Sequence, residues 1–295
     1  MPPQIVRRAW EVYRNDGALS LIGRSRPFVR NNVAYLRDEL APRAYATARQ
    51  LYYDRAYGIA SPSPYELIHI DPTRVEHLLV PQFKKRLSDH GHYVRGGSWD
   101  LRKSTEELFY DSRYESRFDR PARLPLENYV LYRAMREHFE NDIPWEETEF
   151  YEWASGGDIR SSRYGGEANA RARLSSLDDL YHSIQHEGYS TQRKLDGDSV
   201  LADARTDIAE RHEVMVNVGR TGELILEDGR HRFSIARIAG IRRIPVRVFV
   251  RHRRWQDLRS EVATASTPDD LRPEVRVRLN HPDLRDLVPG EWVDI

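Results

Sequence analysis

The stretch that decides the fold runs from Val214 to Val250 and reads VMVNVGRTGELILEDGRHRFSIARIAGIRRIPVRVFV. It contains three short apolar runs. In each run the apolar residues either alternate with polar ones or follow one another directly, and both patterns are typical of strands. Between the second and third runs, the segment from Arg230 to Ala239 has helical spacing and is followed by Gly240, a common helix terminator. We therefore predict strands near 214–218, 223–226 and 244–250, with one helix between the last two.

The turn between the second strand and this helix, Asp228-Gly229-Arg230-His231-Arg232, is the strongest candidate for a site. The first backbone amides of a helix have no partner within it and carry the positive end of the helix dipole, so they attract anions. Arg230, His231 and Arg232 would add donors to phosphate oxygens, and Asp228 would hold Mg²⁺ or accept a proton. The alternative is a solvent-exposed turn, although arginines at a helix N-terminus oppose the dipole.

A helix is predicted upstream of these strands. Ser176-Leu177-Asp178-Asp179 reads as a capping box, and an apolar stripe continues from Leu177 through Ile184 to Gly188. The preceding segment, 155–173, contains four glycines and is predicted to be a long loop, either a lid over a site or an exposed linker. Further upstream we predict a first strand at 66–72 and helical patterns near 103–112 and 126–140.

The chain divides by composition at Ser61-Pro62-Ser63-Pro64, a short and stiff linker. Residues 1–60 read as an amphipathic helical segment with a second helical stretch from about Asn32 to Tyr53. They hold ten arginines and five acidic residues, a local net charge of +5. This segment either packs on the main domain or lies on an anionic membrane surface. We predict a domain at 65–260, made of a first strand at 66–72, an insertion at 73–174 and a core at 175–250, and a tail at 261–295.

The composition excludes several functional classes. The 295 residues include no cysteine, which excludes disulfides, thiolate zinc sites and cysteine nucleophiles. The 46 basic and 46 acidic residues give zero net charge, which argues against a nucleic-acid partner. No apolar run is long enough to cross a bilayer and the N-terminus does not read as a secretory signal, so we expect a cytoplasmic protein, in contact with a membrane only through residues 1–60.

Two further groups of residues are candidate sites. His182 and His186 have i, i+4 spacing but lie opposite the apolar stripe of their helix, so we predict no zinc site there. Trp99 and Asp100 follow a pair of glycines, and an aromatic plate beside a carboxylate suits a sugar or another small polar ligand. An ordinary turn before a helix explains the same residues equally well.

The segment from Leu177 to Val250 resembles the core of the ParB/sulfiredoxin superfamily, an α+β fold with a small mixed sheet. The resemblance covers about 75 residues, and the first strand with its Ile70-Asp71-Pro72 turn is similar to the opening of that core. The resemblance lies in the order and spacing of two motifs and of the strand that follows them. The first motif box spans residues 177–192, and the second is the Asp228–Arg232 turn. The matching residues are Leu177, Leu180, Ser183, Ile184, Gly188, Gln192, Asp228, Gly229, His231, Arg232, Ala236, Gly240, Ile244, Pro245 and Val246.

This resemblance implies a nucleotide site, because members bind ATP, ADP or CTP at the two boxes. It implies that Ser183, Gly188 and Gln192 line the nucleotide beside the Gly229–Arg232 turn. Sulfiredoxin chemistry is excluded, since Arg230 stands where the family's cysteine would be. Chromosome-partition activity is not expected, since it needs two further domains and 45 residues follow Val250.

The branch that remains is similar to the free-serine type of small-molecule kinase, whose turn also reads Asp-Gly followed by His-Arg. We therefore expect a nucleotide-dependent phosphotransferase that uses ATP or ADP with Mg²⁺ and acts on a small polar molecule or a glycan-related acceptor. The alternative is a nucleotide-binding ParB-like module that binds or cleaves DNA and has no kinase activity.

Overall fold

A computed structural model describes residues 41–63, 65–83, 93–111, 118, 120–156, 164, 166–192, 194 and 212–292. The chain forms two compact units, Met1–Arg49 and Gln50–Ile295. The boundary falls inside helix α1 (Ala41–Tyr57), which is the described part of the segment predicted to be helical at 1–60. The rest of that segment, residues 1–40, lies outside the described residues. No helix in the described part of the chain is both long and apolar enough to cross a membrane.

The second unit is built on one mixed, seven-stranded sheet. Its strands lie in the order β1-β7-β5-β6-β2-β4, and β3 pairs with the far end of β7. Antiparallel pairs join β1 to β7, β5 to β6 and β2 to β4, whereas β5 and β3 run parallel to β7 and β2 runs parallel to β6. The strands are β1 (Leu67–Ile70), β2 (His77–Val80), β3 (Val94–Arg95), β4 (Ala122–Pro125), β5 (Met215–Val218), β6 (Leu224–Asp228) and β7 (Ile244–His252).

Helices complete an α+β fold, as predicted. The predicted order of helix, strand, strand, helix and strand in the last third is confirmed by α4, β5, β6, α5 and β7, and the predicted first strand is β1. The helical pattern at 126–140 is also confirmed by α2 and the 3₁₀ turn before it. The helices after α1 are α2 (Val130–Asn141), α3 (Glu149–Ser155), α4 (Glu167–Glu187), α5 (Arg230–Ile238), α6 (Arg253–Thr264) and the short α7 (Pro273–Arg276).

The two faces of the sheet carry different apolar clusters, because successive side chains on a strand point to opposite faces. Leu226 of β6 and Leu78 of β2 belong to the main core, together with Phe233 and Ile235 of α5. The neighbouring residue Ile225 belongs instead to a smaller cluster that includes Trp99. Helix α5 and Trp99 therefore pack on opposite faces of the same strands.

Three local predictions were wrong. Residues 103–111 form no helix; Lys103 and Leu108 make isolated bridges to the segment around β4. Ser176 is not a helix cap, because α4 begins at Glu167 and the Ser176 hydroxyl donates to the Arg173 carbonyl, 2.6 Å away, inside the helix. The predicted loop at 155–173 is correspondingly shorter, since residues 167–173 are helical; residues 157–163 and 165 lie outside the described residues.

The segment predicted to be a tail packs into the core. Leu271, Leu279 and Leu284 are buried in the main cluster, and Trp292 joins them. Asp283 is fully buried and accepts hydrogen bonds from Arg251 of β7, with Nη2 2.6 Å away, and from the Trp255 indole, 2.8 Å away. A buried carboxylate needs such partners, so this network fixes the C-terminal segment against β7 and α6.

Candidate functional site

The β6–α5 turn has the geometry of an anion-binding helix start. Gly229 precedes α5 with φ 78° and ψ 27°, a left-handed conformation that glycine adopts without strain. A Cβ at this position would lie 2.9 Å from the Cα of Val214, so no other residue fits without moving the backbone. This conformation lets β6 end at Asp228 and α5 begin at Arg230. The first backbone amides of α5 have no partners within the helix.

Arg230 does not extend its guanidinium from the helix start into solvent. Its side chain is buried, and its two Nη atoms donate to the carbonyl oxygens of Tyr110, 3.1 Å away, and Leu79, 3.5 Å away. The guanidinium also lies 5.4 Å from the centre of the Tyr129 ring. Sequence reasoning made Arg230 a phosphate ligand, but the structure gives its guanidinium a structural role and leaves only its backbone amide at the helix start.

Arg232 connects the two motif boxes. Its Nη2 donates to the carbonyl oxygen of Ser190, 2.8 Å away, and its Nη1 lies 3.4 Å from a carboxylate oxygen of the buried Glu213. The other oxygen of Glu213 accepts from the backbone N–H of Gln192, 2.6 Å away. The guanidinium also lies over the Tyr189 ring, at 4.8 Å. Gln192 and Arg232, which are 40 positions apart in the sequence, therefore meet at one carboxylate.

His231 lies beside an arginine that the sequence did not indicate. The Nη2 of Arg173, on α4, is 3.3 Å from the Nδ1 of His231. A guanidinium can only donate, so Nδ1 accepts and the proton of the neutral imidazole is on Nε2. The ring of His231 also stacks on Tyr110 at 6.1 Å between centres. Arg173 adds a positive charge at the start of α5.

Asp228 is half-buried at the end of β6, next to Gln82. The amide nitrogen of Gln82 donates to the Glu227 carbonyl, 2.6 Å away, and lies 3.5 Å from a carboxylate oxygen of Asp228. Gln82 is itself buried, so it positions the end of the strand. No sequence pattern singled out Gln82, because its role depends on the parallel pairing of β2 with β6.

The remaining residues of the first box are near the end of α4. Gly188 ends that helix with φ 78°, and its N–H donates to the Ile184 carbonyl, 3.0 Å away. This conformation turns the chain toward Ser190 and Gln192, which contact the Arg232–Glu213 pair. Ser183 is exposed on α4.

Trp99 and Asp100, for which the sequence leaves a substrate site and an ordinary turn equally open, both make contacts within the protein. Trp99 is buried against Phe83, on the other face of the sheet. Both oxygens of Asp100 accept from Arg220, with an Nη2–Oδ1 distance of 2.7 Å and a backbone N–Oδ2 distance of 2.8 Å. Burial opposes ionisation of Asp100, but these hydrogen bonds outweigh it and hold the pKa of its carboxyl below the ordinary value.

The described residues contain no cluster of three or more histidine and acidic side chains arranged to hold a metal ion. His182 and His186 are both exposed on α4. Asp228 provides a half-buried carboxylate at the end of β6, whereas the buried Glu213 is already bonded to Gln192 and lies beside Arg232. One carboxylate fits Mg²⁺ that arrives with a nucleotide, because Mg²⁺ commonly binds one or two carboxylates together with substrate phosphates.

Comparison with protein-family models, with curated proteins and with solved structures finds no match to this chain. A function for this chain can therefore be inferred only from the geometry of the β6–α5 turn and from the order of the motifs in its sequence.

Proposed function

We propose that this chain is a nucleotide-dependent phosphotransferase with a ParB/sulfiredoxin-like core, and that the β6–α5 turn holds the phosphates of the donor. The observation that carries the proposal is the meeting of the two motif boxes at Glu213, which accepts from Gln192 and lies beside Arg232. The resemblance implies that these two boxes form one nucleotide site, and their contact beside a helix start supports the proposal.

The charges around the turn support an anionic ligand. Arg173 and Arg232 flank the N-terminal end of α5, where the helix dipole is positive. Arg232 is balanced by Glu213, whereas Arg173 forms no ion pair among the described residues. Donor phosphates would balance the charge of Arg173. A guanidinium can bind a phosphate through two parallel hydrogen bonds.

In the transfer step, an acceptor hydroxyl oxygen attacks the terminal phosphorus of the nucleotide. A new O–P bond forms, the bond from that phosphorus to the bridging oxygen breaks, and the nucleotide leaves with one phosphate fewer. Asp228 takes the proton of the attacking hydroxyl. Mg²⁺ bound to the nucleotide would neutralise phosphate charge when present, and the described cations of the turn would hold the donor in line with the acceptor. The acceptor is a small polar molecule or a glycan-related hydroxyl compound.

The first experiment measures thermal unfolding with ATP, ADP and CTP in the presence of Mg²⁺. A ligand that binds only the folded state raises the apparent stability by RT ln(1 + [L]/Kd). We expect at least one nucleotide to raise the Tm, and the proposal fails if none does. The stabilising nucleotide is then incubated with panels of sugars, polyols and hydroxy amino acids, and the product nucleotide is quantified by chromatography.

The second experiment separates catalysis from binding. Asp228→Asn should lower the transfer rate about 10²- to 10⁴-fold, the usual contribution of a general base, while the nucleotide Kd stays within a small factor of the wild-type value. Asp179→Asn, at an exposed position of α4, is the matched control and should leave both unchanged. A nucleotide that binds but donates its phosphoryl group to no acceptor, together with nucleotide-dependent retention of duplex DNA, would support the DNA-associated alternative instead.

A further inference from the structure

A pocket lies at the opposite end of β6 from Asp228. Its volume is about 370 Å³, and it is formed where the β5–β6 turn meets the segment after α7 and the 3₁₀ turn after β1. This size is sufficient for a small organic molecule. The lining residues used below are Arg74, Gly222, Glu223, Leu224, Arg278 and His281.

The lining carries more positive than negative charge. Arg74 and Arg278 form no ion pair among the described residues, and the Arg278 side chain donates to the backbone oxygens of Thr221 and Glu274. Glu223 is the acidic lining residue, and it is ion-paired with Arg123. Two arginines without carboxylate partners at one cavity favour an oxyanion, which a planar guanidinium binds through two parallel hydrogen bonds.

The walls of this pocket are held in place before any ligand binds. The Nε2 of His281 lies 2.7 Å from the Gly222 carbonyl, and its Nδ1 accepts from the backbone N–H of Asp283, 3.1 Å away, so the imidazole is neutral. Burial lowers the pKa of His281, and the nearby Arg74 charge lowers it further. Behind the turn, Trp255 lies so close to Gly222 that a Cβ there would be 2.5 Å from the ring. A preorganised wall lowers the entropy lost on binding.

The pocket also has an apolar side. Leu224 is buried at the start of β6, and Val277 is 80% exposed at the rim. A free inorganic anion would gain nothing from these side chains, whereas the carbon skeleton of an organic anion would be shielded from water by them. The occupant should therefore combine an acidic group with a few carbon atoms.

We propose that this pocket binds a small organic oxyanion, a carboxylate or a phosphate ester, whose acidic group lies between Arg74 and Arg278 and whose carbon skeleton contacts Leu224 and Val277. The pocket and the β6–α5 turn are at opposite ends of β6, so a ligand here is separate from the nucleotide proposed above. The inference does not depend on the proposed phosphotransferase activity.

The test is calorimetric titration of the full chain with succinate and with glycerol 3-phosphate, and with glycerol as the uncharged control. We expect one or both anions to bind and glycerol not to bind. Arg74→Gln and Arg278→Gln should each weaken binding about tenfold to hundredfold, as expected for the loss of a charged hydrogen-bonding partner. Arg276→Gln is the matched control, because Arg276 is exposed and ion-paired with Asp269, and it should leave the Kd unchanged.

Arg74 is exposed and makes no side-chain hydrogen bond in the described part of the chain, so Arg74→Gln should fold like the wild type; a thermal melt verifies this. The proposal fails if neither anion binds at millimolar concentration, or if both arginine variants keep the wild-type affinity. Glycerol 3-phosphate binding that persists in Arg74→Gln but is lost in Arg173→Ala would belong to the β6–α5 turn and would also overturn the proposal. If only one of the two anions binds, the proposal holds, and the result shows whether the pocket binds a carboxylate or a phosphate ester.

Discussion

Arg173 on α4 and His231 on α5 are 3.3 Å apart through Nη2 and Nδ1, although 58 positions separate them in the sequence. The buried Nε of Arg173 makes no hydrogen bond within the described residues. Arg173 has one neutral acceptor and no ion pair among the described residues, so its positive charge is not offset there. This charge is held at the N-terminal end of α5, where the helix dipole adds to it.

Arg173→Ala should weaken nucleotide binding about tenfold to hundredfold, because a charged hydrogen bond contributes about 1.5–3 kcal/mol. Titration of each variant with the nucleotide that stabilises the wild type measures the effect. Arg171→Ala provides the control on the same helix, since Arg171 is exposed and ion-paired with Glu146 and Glu167. Equal losses in the two variants would show that general surface charge, and not the Arg173 position, attracts the ligand.

Gly229→Ala should destabilise the fold and disturb the helix start, whereas Gly240→Ala should have a smaller effect. Both glycines have positive φ, 78° and 71°, so each substitution costs about 1–2 kcal/mol from backbone strain. Only at Gly229 would the new Cβ meet backbone, and such overpacking adds about 1–3 kcal/mol. Denaturant unfolding of both variants isolates the steric part, and similar losses of stability would contradict the observed contact with Val214.

Asp100→Asn should lower stability by about 2 kcal/mol or more, because it weakens a buried pair with Arg220. Transfer activity per folded molecule should not change, since Arg220 lies in the β5–β6 turn, at the other end of β6 from Asp228. Asp257→Asn, at an exposed position of α6, serves as the stability control. A selective loss of acceptor affinity in Asp100→Asn would instead show that Asp100 contacts the substrate, one of the two alternatives that the sequence leaves open.

Stability should fall in acid partly through Asp283. Burial alone would raise the pKa of this carboxyl, but Arg251 and Arg259 outweigh burial and hold it at about 2, below the ordinary value of 3.8. A group whose pKa is lowered by folding contributes stability above its unfolded pKa and loses that contribution as the pH falls through its folded pKa. The contribution, about 2 kcal/mol, is therefore present at pH 5 and lost between pH 4 and 2.

Urea unfolding at several pH values in this interval measures that loss. The free energy of unfolding should depend less steeply on pH in Asp283→Asn than in the wild type, on top of a lower overall stability. Asp269→Asn should keep the wild-type slope, because the Asp269 side chain is 90% exposed. If all three proteins have the same slope, other carboxylates dominate the acid sensitivity.

The strands of the last third could be predicted because their alternation is strong and their neighbours on both faces are apolar. β7 carries nine buried residues and was predicted almost to its bounds. The start of α4 could not be predicted in this way. Its first two turns bury only the small Ala170 and, four positions later, Leu174, so the apolar stripe is weak there. Ser176 was mistaken for a cap because a serine hydroxyl can bond either to a helix-start amide or, as here, to a carbonyl one turn back.

The candidate site was predicted as a position but not as a set of side chains. The Asp-Gly pair indicates where β6 ends and α5 begins, because only glycine adopts the required backbone conformation without strain. Whether an arginine in the next positions points outward depends on which carbonyls approach from elsewhere in the chain, and sequence spacing does not contain that information. The carbonyls of Tyr110 and Leu79 draw Arg230 inward, and Arg173 occupies the space beside His231 instead.

Strand β7 hydrogen-bonds to β1, to β3 and to β5, so it connects elements from both halves of the chain. Its pairing with β1 joins Ile70 to Ile244, which are 174 positions apart. Closing so long a loop costs entropy before the contact returns any stability, and folds with many such pairings form slowly. During synthesis, β1 and β3 therefore have to wait for β7 to leave the ribosome, since β7 is their strand partner in the described sheet. Until then their apolar faces and unpaired edges are exposed, which makes this period the one in which the chain is most prone to aggregate.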